Sequence, residues 1–359
     1  MDRRKATLGG AGIGVVAGVV GLVVLATPAG AGPAPSLPAT TPQALVQSVL
    51  TASVPSMSGT IAVQNNLGLP AVPGIPELAN GTSQVRVWSD GTGRSRVSVP
   101  TATSEQTFVD DGKTLYSWDS SGRTVTEAPT AKSGKSSHQP AADAPTDPAT
   151  MAKELVGALQ NSSNITVDGT DTVAGQPAYD LVLTPKPSQR TLLREVKIAV
   201  DANKHIPLQL TVLGDNSDTP AVQVGFASLD YGPQQSSLFT FTPPAGATVT
   251  QENKSERGMA QHDATKLTPK IVGSGWDTVA ILTLPSGTNS DGQGATQGKD
   301  GMSSNPLSLA REFGTPVSGS WGSGWAIGTN VGTAVLTSDG RVAIGLVPQQ
   351  VLTEALGSK

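Results

Sequence analysis

Three histidines, a few paired or turn-borne carboxylates and two glycine clusters are the residues of this chain whose types invite chemistry. His138, His205 and His262 have no second histidine or carboxylate at the spacing that brings ligands to one side of a helix, so they predict no metal site. Asp110-Asp111 and Asp201 sit in turn contexts, where a short acid hydrogen-bonds its own backbone, and no partner base or oxyanion donor stands near them in sequence. The clusters Gly9 to Gly12 and Gly319 to Gly324 lack the lysine and the following helix that phosphate binding needs. No Gly-x-Ser-x-Gly elbow or dinucleotide fingerprint stands between a strand and a helix, and cysteine is absent. The chain therefore reads as a non-enzyme without a cofactor. The chemistry left to it is the sorption of apolar matter.

That chemistry has a clear carrier in the second half. Tyr179, Leu181 and Leu183 alternate with Ala178, Asp180 and Thr184; Val196, Ile198 and Val200 alternate with Glu195, Lys197 and Ala199. Ile206, Leu208 and Leu210, and then Val222, Val224 and Phe226, repeat the pattern. Successive side chains of a strand point to opposite faces, so these runs predict an antiparallel sheet with one apolar and one polar surface. Earlier strands are expected around Gly59–Val63, Ser83–Trp88, Ser95–Val99, Gln106–Val109, Lys113–Trp118 and Arg123–Glu127, with turns at Asp90-Gly91, Asp111-Gly112 and Ser121-Gly122. Val85, Val87, Val97, Val99 and Leu115 join Leu181, Ile198, Leu208, Leu210 and Val224 as candidates for an acyl-chain lining.

Two helices must cover this sheet. One opens at Thr41-Pro42 and places Leu45, Val46, Val49 and Leu50 on one face; the other opens at Asp147-Pro148 and carries Met151, Leu155 and Leu159. At roughly 1.5 Å per residue, helices of about ten residues cover little of a sheet of about ten strands. Apolar surface of several hundred Å² left over marks a binding site. An acyl chain laid there gains about 0.8 kcal/mol per buried methylene.

The 359 residues allow two units with cores of their own, and 41 Gly and 27 Pro favour short strands and turns over long helices. Arg3, Arg4 and Lys5, the apolar run from Gly12 to Ala26, and Ala29-Gly30-Ala31 predict export, with cleavage after Ala31 or retention as an N-terminal anchor. Without residues 1–31 the chain keeps 21 basic and 27 acidic residues, a balance that points away from nucleic acid. Residues 32–40 form a Pro/Ala-rich tether, 129–147 a Pro/Ser/Ala-rich loop, 251–267 a polar linker and 268–359 a small α+β accessory domain. Trp276, Trp321, Trp325, Val335 and Ile344 are the residues expected to fill that domain's core.

Several motifs in order carry a family resemblance. Val109-Asp110-Asp111-Gly112-Lys113-Thr114-Leu115-Tyr116 resembles the "DGKTL-Y" hairpin of the LolA-like lipoprotein-carrier superfamily. Gly175-Gln176-Pro177-Ala178-Tyr179-Asp180-Leu181, Val200-Asp201 before Ile206-Pro207-Leu208, and Phe239-Thr240-Phe241-Thr242-Pro243-Pro244-Ala245-Gly246 resemble its second half. The resemblance spans residues 41–250. It implies a mainly β (α+β) fold, an unclosed antiparallel half-barrel capped by helices, whose inner face takes lipid or lipoprotein acyl chains. It also implies an extracytoplasmic protein near a membrane. The superfamily includes RseB/MucB-like regulators, so the resemblance carries an alternative: an envelope sensor that binds an anti-sigma factor or another envelope protein.

Overall fold

The computed structural model describes residues 34–68, 81–101, 103–130, 148–215, 217–251, 269–284 and 306–358. The signal-like segment, residues 131–147, most of the polar linker, the Gly/Ser/Asn-rich stretch 285–304, His138 and His262 lie outside the described residues. Among the described residues no helix is long and apolar enough to cross a membrane.

The chain begins with helix α1 (Pro42–Thr51), whose start is set by the Thr41 hydroxyl accepting the Ala44 N–H at 3.2 Å and by Pro42 in the first turn. Six strands follow: β1 (Ser56–Asn65), β2 (Gly81–Asp90), β3 (Ser95–Pro100), β4 (Glu105–Asp110), β5 (Thr114–Asp119) and β6 (Thr124–Pro129). Helix α2 (Pro148–Leu159) precedes β7 (Ser163–Val173), β8 (Gln176–Pro185), β9 (Leu193–Asp201), β10 (Pro207–Gly214), β11 (Val222–Tyr231) and the short β12 (Thr248–Gln251). These twelve strands form one sheet in the order β12-β6-β5-β4-β3-β2-β1-β11-β10-β9-β8-β7. The edge strands β12 and β7 do not pair with each other, so the sheet stays open as a half-barrel. All pairings are antiparallel except β12 on β6, which is parallel.

Short acids make the tight turns. Asp111 accepts the N–H groups of Lys113 and Thr114, each at 2.8 Å, and Gly112 at φ +88° supplies the left-handed residue that the β4–β5 turn needs. Asp201 does the same for Asn203 and Lys204 at 2.7 Å, with His205 at φ 58° closing the turn into β10. Backbone occupies the Asp111 carboxylate, and backbone together with the Tyr231 hydroxyl occupies that of Asp201.

A second sheet follows: β13 (Lys270–Val272), β14 (Val279–Thr283), helix α3 (Pro306–Phe313), β15 (Thr315–Gly319), β16 (Gly322–Gly328), β17 (Thr333–Thr337), β18 (Arg341–Gly345) and helix α4 (Gln349–Gly357). Its order is β13-β14-β18-β17-β16-β15. Val351, Leu352, Ala355 and Leu356 of α4 pack on Val279, Ile281, Val335 and Ala343. Two expectations for this core are corrected. Ile344 pairs with Ala280 and Ala334, one step out of phase with Ala343, so it points away from α4 and is 48% exposed. Trp276 turns its ring into the core of the large sheet, beside Ile198, Val200 and Val331. Its indole N–H donates to Ser163 Oγ at 2.8 Å, which gives the ring's polar atom a partner inside that core. Trp325 is half-buried on the face opposite α4, near Leu336, with the Arg311 guanidinium 5.2 Å from its ring centre; Trp321 packs at the rim of the α4 cluster.

The second sheet is seated on the first. Leu192 N–H donates to Leu346 O at 3.0 Å, Thr191 Oγ1 to the same oxygen at 2.6 Å, and Asn330 N–H to Leu67 O at 3.0 Å. Arg190 pairs with Glu354 at 2.6 Å.

Candidate binding face

Register places nine of the ten proposed lining residues on one face of the large sheet. Leu181 stands opposite Ile198, Ile198 opposite Leu210, Leu210 opposite Val224, and Val224 opposite Val63. On the other side of β1, Val85 faces Ile61 and Val87 faces Val97. Val99 lies two residues along from Val97, and Leu115 joins through Asp110 and Ser95. Leu208 sits where the β9–β10 register shifts, and packs with Val224 and Phe226.

Burial along this face is graded. Leu181, Ile198 and Leu210 lie under the helices, packed with Leu45, Val46 and Val49 of α1, Ala152 and Val156 of α2, and the inserted Trp276 and Val331. They form the floor of a closed core. Leu208, Val224, Val85 and Val87 belong to a second cluster with Ile61, Phe226 and Leu229; Met151 of α2 bridges the two clusters. Val85 and Val87 keep 7% of their surface, and Val97, Val99 and Leu115 are only half-buried. Exposure thus rises from the helix-covered strands toward β3 and β5. Trp276 and Val331 in the covered end were not legible as part of this core, because their sequence neighbourhood belongs to the second sheet.

The opposite face has two characters. Over β9–β11 it is polar: Gln223 donates to Gln209 at 3.1 Å, Gln209 to Thr211 at 3.4 Å, and Lys197 pairs with Glu195 at 3.5 Å. Gly225 fits beneath this ladder because a Cβ there would stand 2.8 Å from the Gln209 side chain. Asp180, half-buried on this face opposite Ala199, is pushed up to about 6 by burial and by the nearby Asp171. Over β3–β6 the same face mixes apolar and polar side chains. Val109 and Val125 are fully buried there, and the segment 236–251 straps across it. Phe241 stacks on Tyr116 with ring centres 5.3 Å apart, Phe239 lies under the Arg94 guanidinium at 5.3 Å, and Arg123 donates to Ala245 O at 2.6 Å. The Phe-Thr-Phe-Thr-Pro-Pro motif is the body of that strap.

Other titratable groups serve structure. Tyr231 donates to buried Asp201 at 2.5 Å, and burial together with that bond pushes its hydroxyl well above the usual tyrosine range. Among the described residues no group of three or more His, Asp or Glu is placed to hold a metal ion.

No protein-family model and no curated protein matches the chain. Among solved structures it is similar to a chain of the MucA/MucB complex of Pseudomonas aeruginosa, at 17% identity and TM-score 0.43, over 88% of this chain and 95% of that one. It is also similar to a LolA superfamily protein of Nitrosomonas europaea, at 13% identity and TM-score 0.25, over 56% and 99%. A third is the domain of a putative outer membrane lipoprotein-sorting protein of Vibrio parahaemolyticus, at 8% identity and TM-score 0.23, over 54% and 94%.

Proposed function

We propose that this chain is an exported, non-enzymatic lipid- or lipoprotein-binding protein that holds acyl chains against the inner face of its half-barrel, at the β2–β5 end. The observation that carries this reading is the graded burial of the apolar inner face, closed beneath α1, α2 and Trp276 and half-open at Val97 and Val99, with Leu115 set beyond Asp110. Each methylene transferred from water to such a surface gains about 0.8 kcal/mol, so a long acyl chain binds without polar anchoring. The signal-like N-terminus supports an extracytoplasmic location. In this reading residues 268–359 are an accessory unit that closes one end of the inner face through Trp276 and Val331.

The test is uptake of a fluorescent fatty acid, together with mass spectrometry of organic extracts of the protein purified from its native membranes. Val97→Glu and Leu115→Glu place a charge at the half-open end, where it repels an acyl chain at small cost to the fold. Leu208→Glu buries that charge in a closed core and reports on stability instead. Loss of uptake in the first two variants with an intact β spectrum supports the reading. Unchanged uptake, or native material that carries no lipid but a bound envelope protein, contradicts it.

A further inference from the structure

The outer face of the large sheet holds a cleft of about 570 Å³ that the inner-face reading does not use. Its walls include Trp118 of β5, Phe241 and Pro244 of the strap, and Arg96, Glu105 and Ser120. The walls are fixed from outside the cleft. Phe241 is stacked on Tyr116, and the strap beyond it is held by the Arg123–Ala245 bond and by the β12–β6 pairing.

The charges in the cleft are placed but not spent on each other. Glu105 Oε1 accepts hydrogen bonds from the hydroxyls of Ser98 and Thr107, both buried, which fix the carboxylate's orientation. Its Oε2 has no partner among the described residues. Arg96 makes one long hydrogen bond, Nη1 to Leu238 O at 3.5 Å, and no ion pair among the described residues. An arginine and a glutamate that share a cleft without pairing offer free donors and a free acceptor at once, with no net charge. Beside them stand two aromatic rings, two prolines and serine and threonine hydroxyls. The volume falls within the range of small-molecule sites, and seven of the eleven lining side chains are polar.

We propose that this cleft is a binding site for a neutral sugar residue. A pyranose or furanose ring presents C–H groups on its faces, which lie well on the electron-rich face of Trp118 or Phe241. Its rim of hydroxyls both donates and accepts, matching Glu105 Oε2, the Arg96 guanidinium and Ser120. A strongly anionic ligand meets the fixed Glu105 carboxylate, and a cationic one meets Arg96. The site is separate from the acyl face because Trp118 and Leu115 differ by three positions along β5 and so point to opposite sides of the sheet.

Saturation-transfer NMR and calorimetry on the full chain test this with three neutral probes, chitotriose, maltotriose and mannotriose, against trigalacturonate and a proline-rich peptide. We expect at least one neutral trisaccharide to bind with Kd of roughly 0.1–10 mM. Trp118→Ala and Arg96→Gln each weaken that binding about tenfold or more, while Val97→Glu leaves it unchanged. Arg96→Gln keeps the test decisive should the tryptophan variant fold poorly. Cosedimentation with vesicles bearing a glycolipid of the same headgroup separates a membrane-borne sugar from a free glycan, and binding of either supports the site. No transfer to any neutral probe at about 10 mM, tighter binding of trigalacturonate or the peptide, or undiminished binding in Arg96→Gln overturns it.

Discussion

The two halves of the large sheet have the same strand chemistry and opposite coverings. In β7–β11 the inner face is closed by α1, α2, Trp276 and Val331, and the outer face is a wet ladder of Gln209, Gln223 and Thr211. In β3–β6 the outer face is partly covered by the strap through Phe239 and Phe241, and the inner face keeps Val97, Val99 and Leu115 half-open. Alternation along a strand says that two faces exist. What comes later in the chain to lie on each face decides which is core and which is surface. In the proposed function the binding face is the part of the inner side that the chain's own helices do not reach.

The sharpest way to break this contrast is to empty the covered end. Trp276→Ala removes a buried indole and leaves Ser163 Oγ without its donor, and should cost about 3–5 kcal/mol in denaturant unfolding while loosening the second sheet. A variant with wild-type stability would show that Trp276 is not a closing wedge. Leu181→Ala, at the same end, should cost about 2–5 kcal/mol, whereas Val97→Ala at the half-open end should cost less than about 1 kcal/mol. Equal costs would erase the gradient. Phe241→Ala should free the strap: hydrogen exchange in β12 and β6 rises, with a stability loss of about 1–3 kcal/mol, while exchange in β9–β11 is unchanged.

A pH-dependent effect concerns the wet face. Asp180 has a folded-state pKa of about 6, raised above its ordinary value, so the folded chain holds that proton more tightly than the unfolded one. Its ionisation therefore weakens the fold as pH climbs from about 4 to above 6, by no more than ~2 kcal/mol after solvent screening. Thermal melts of Asp180→Asn should lack this part of the decline and lie above wild type at pH 7. A parallel pH profile in the two proteins would remove the assignment.

Much of the sheet is legible in the sequence because its strands are long and alternate without interruption; Leu181, Ile198 and Val224 each land on the face their phase requires. Their place beneath helices is less so, since which strands α1 and α2 cover depends on long-range docking rather than on local pattern. The strap was readable as a motif, Phe239 to Gly246, but not as a cover, because it has no periodicity and pairs in parallel with a strand more than a hundred residues earlier. Ile344 shows how thin the margin is: in Val342-Ala343-Ile344 the small Ala343 faces α4, so the largest side chain is not the buried one. Trp276 escaped for a related reason, as a tryptophan next to its own sheet is hard to assign to another.

Acyl chains held on the inner face at the β2–β5 end would be captured by cross-linking a photoreactive fatty acid to the full-length protein and mapping the labelled peptides by mass spectrometry. The proposed function predicts labels on the strands that carry Val87, Val97, Val99 and Leu115, competed away by unlabelled fatty acid. Labels confined to the strap and outer cleft, to the second sheet, or to no site that competes would contradict it.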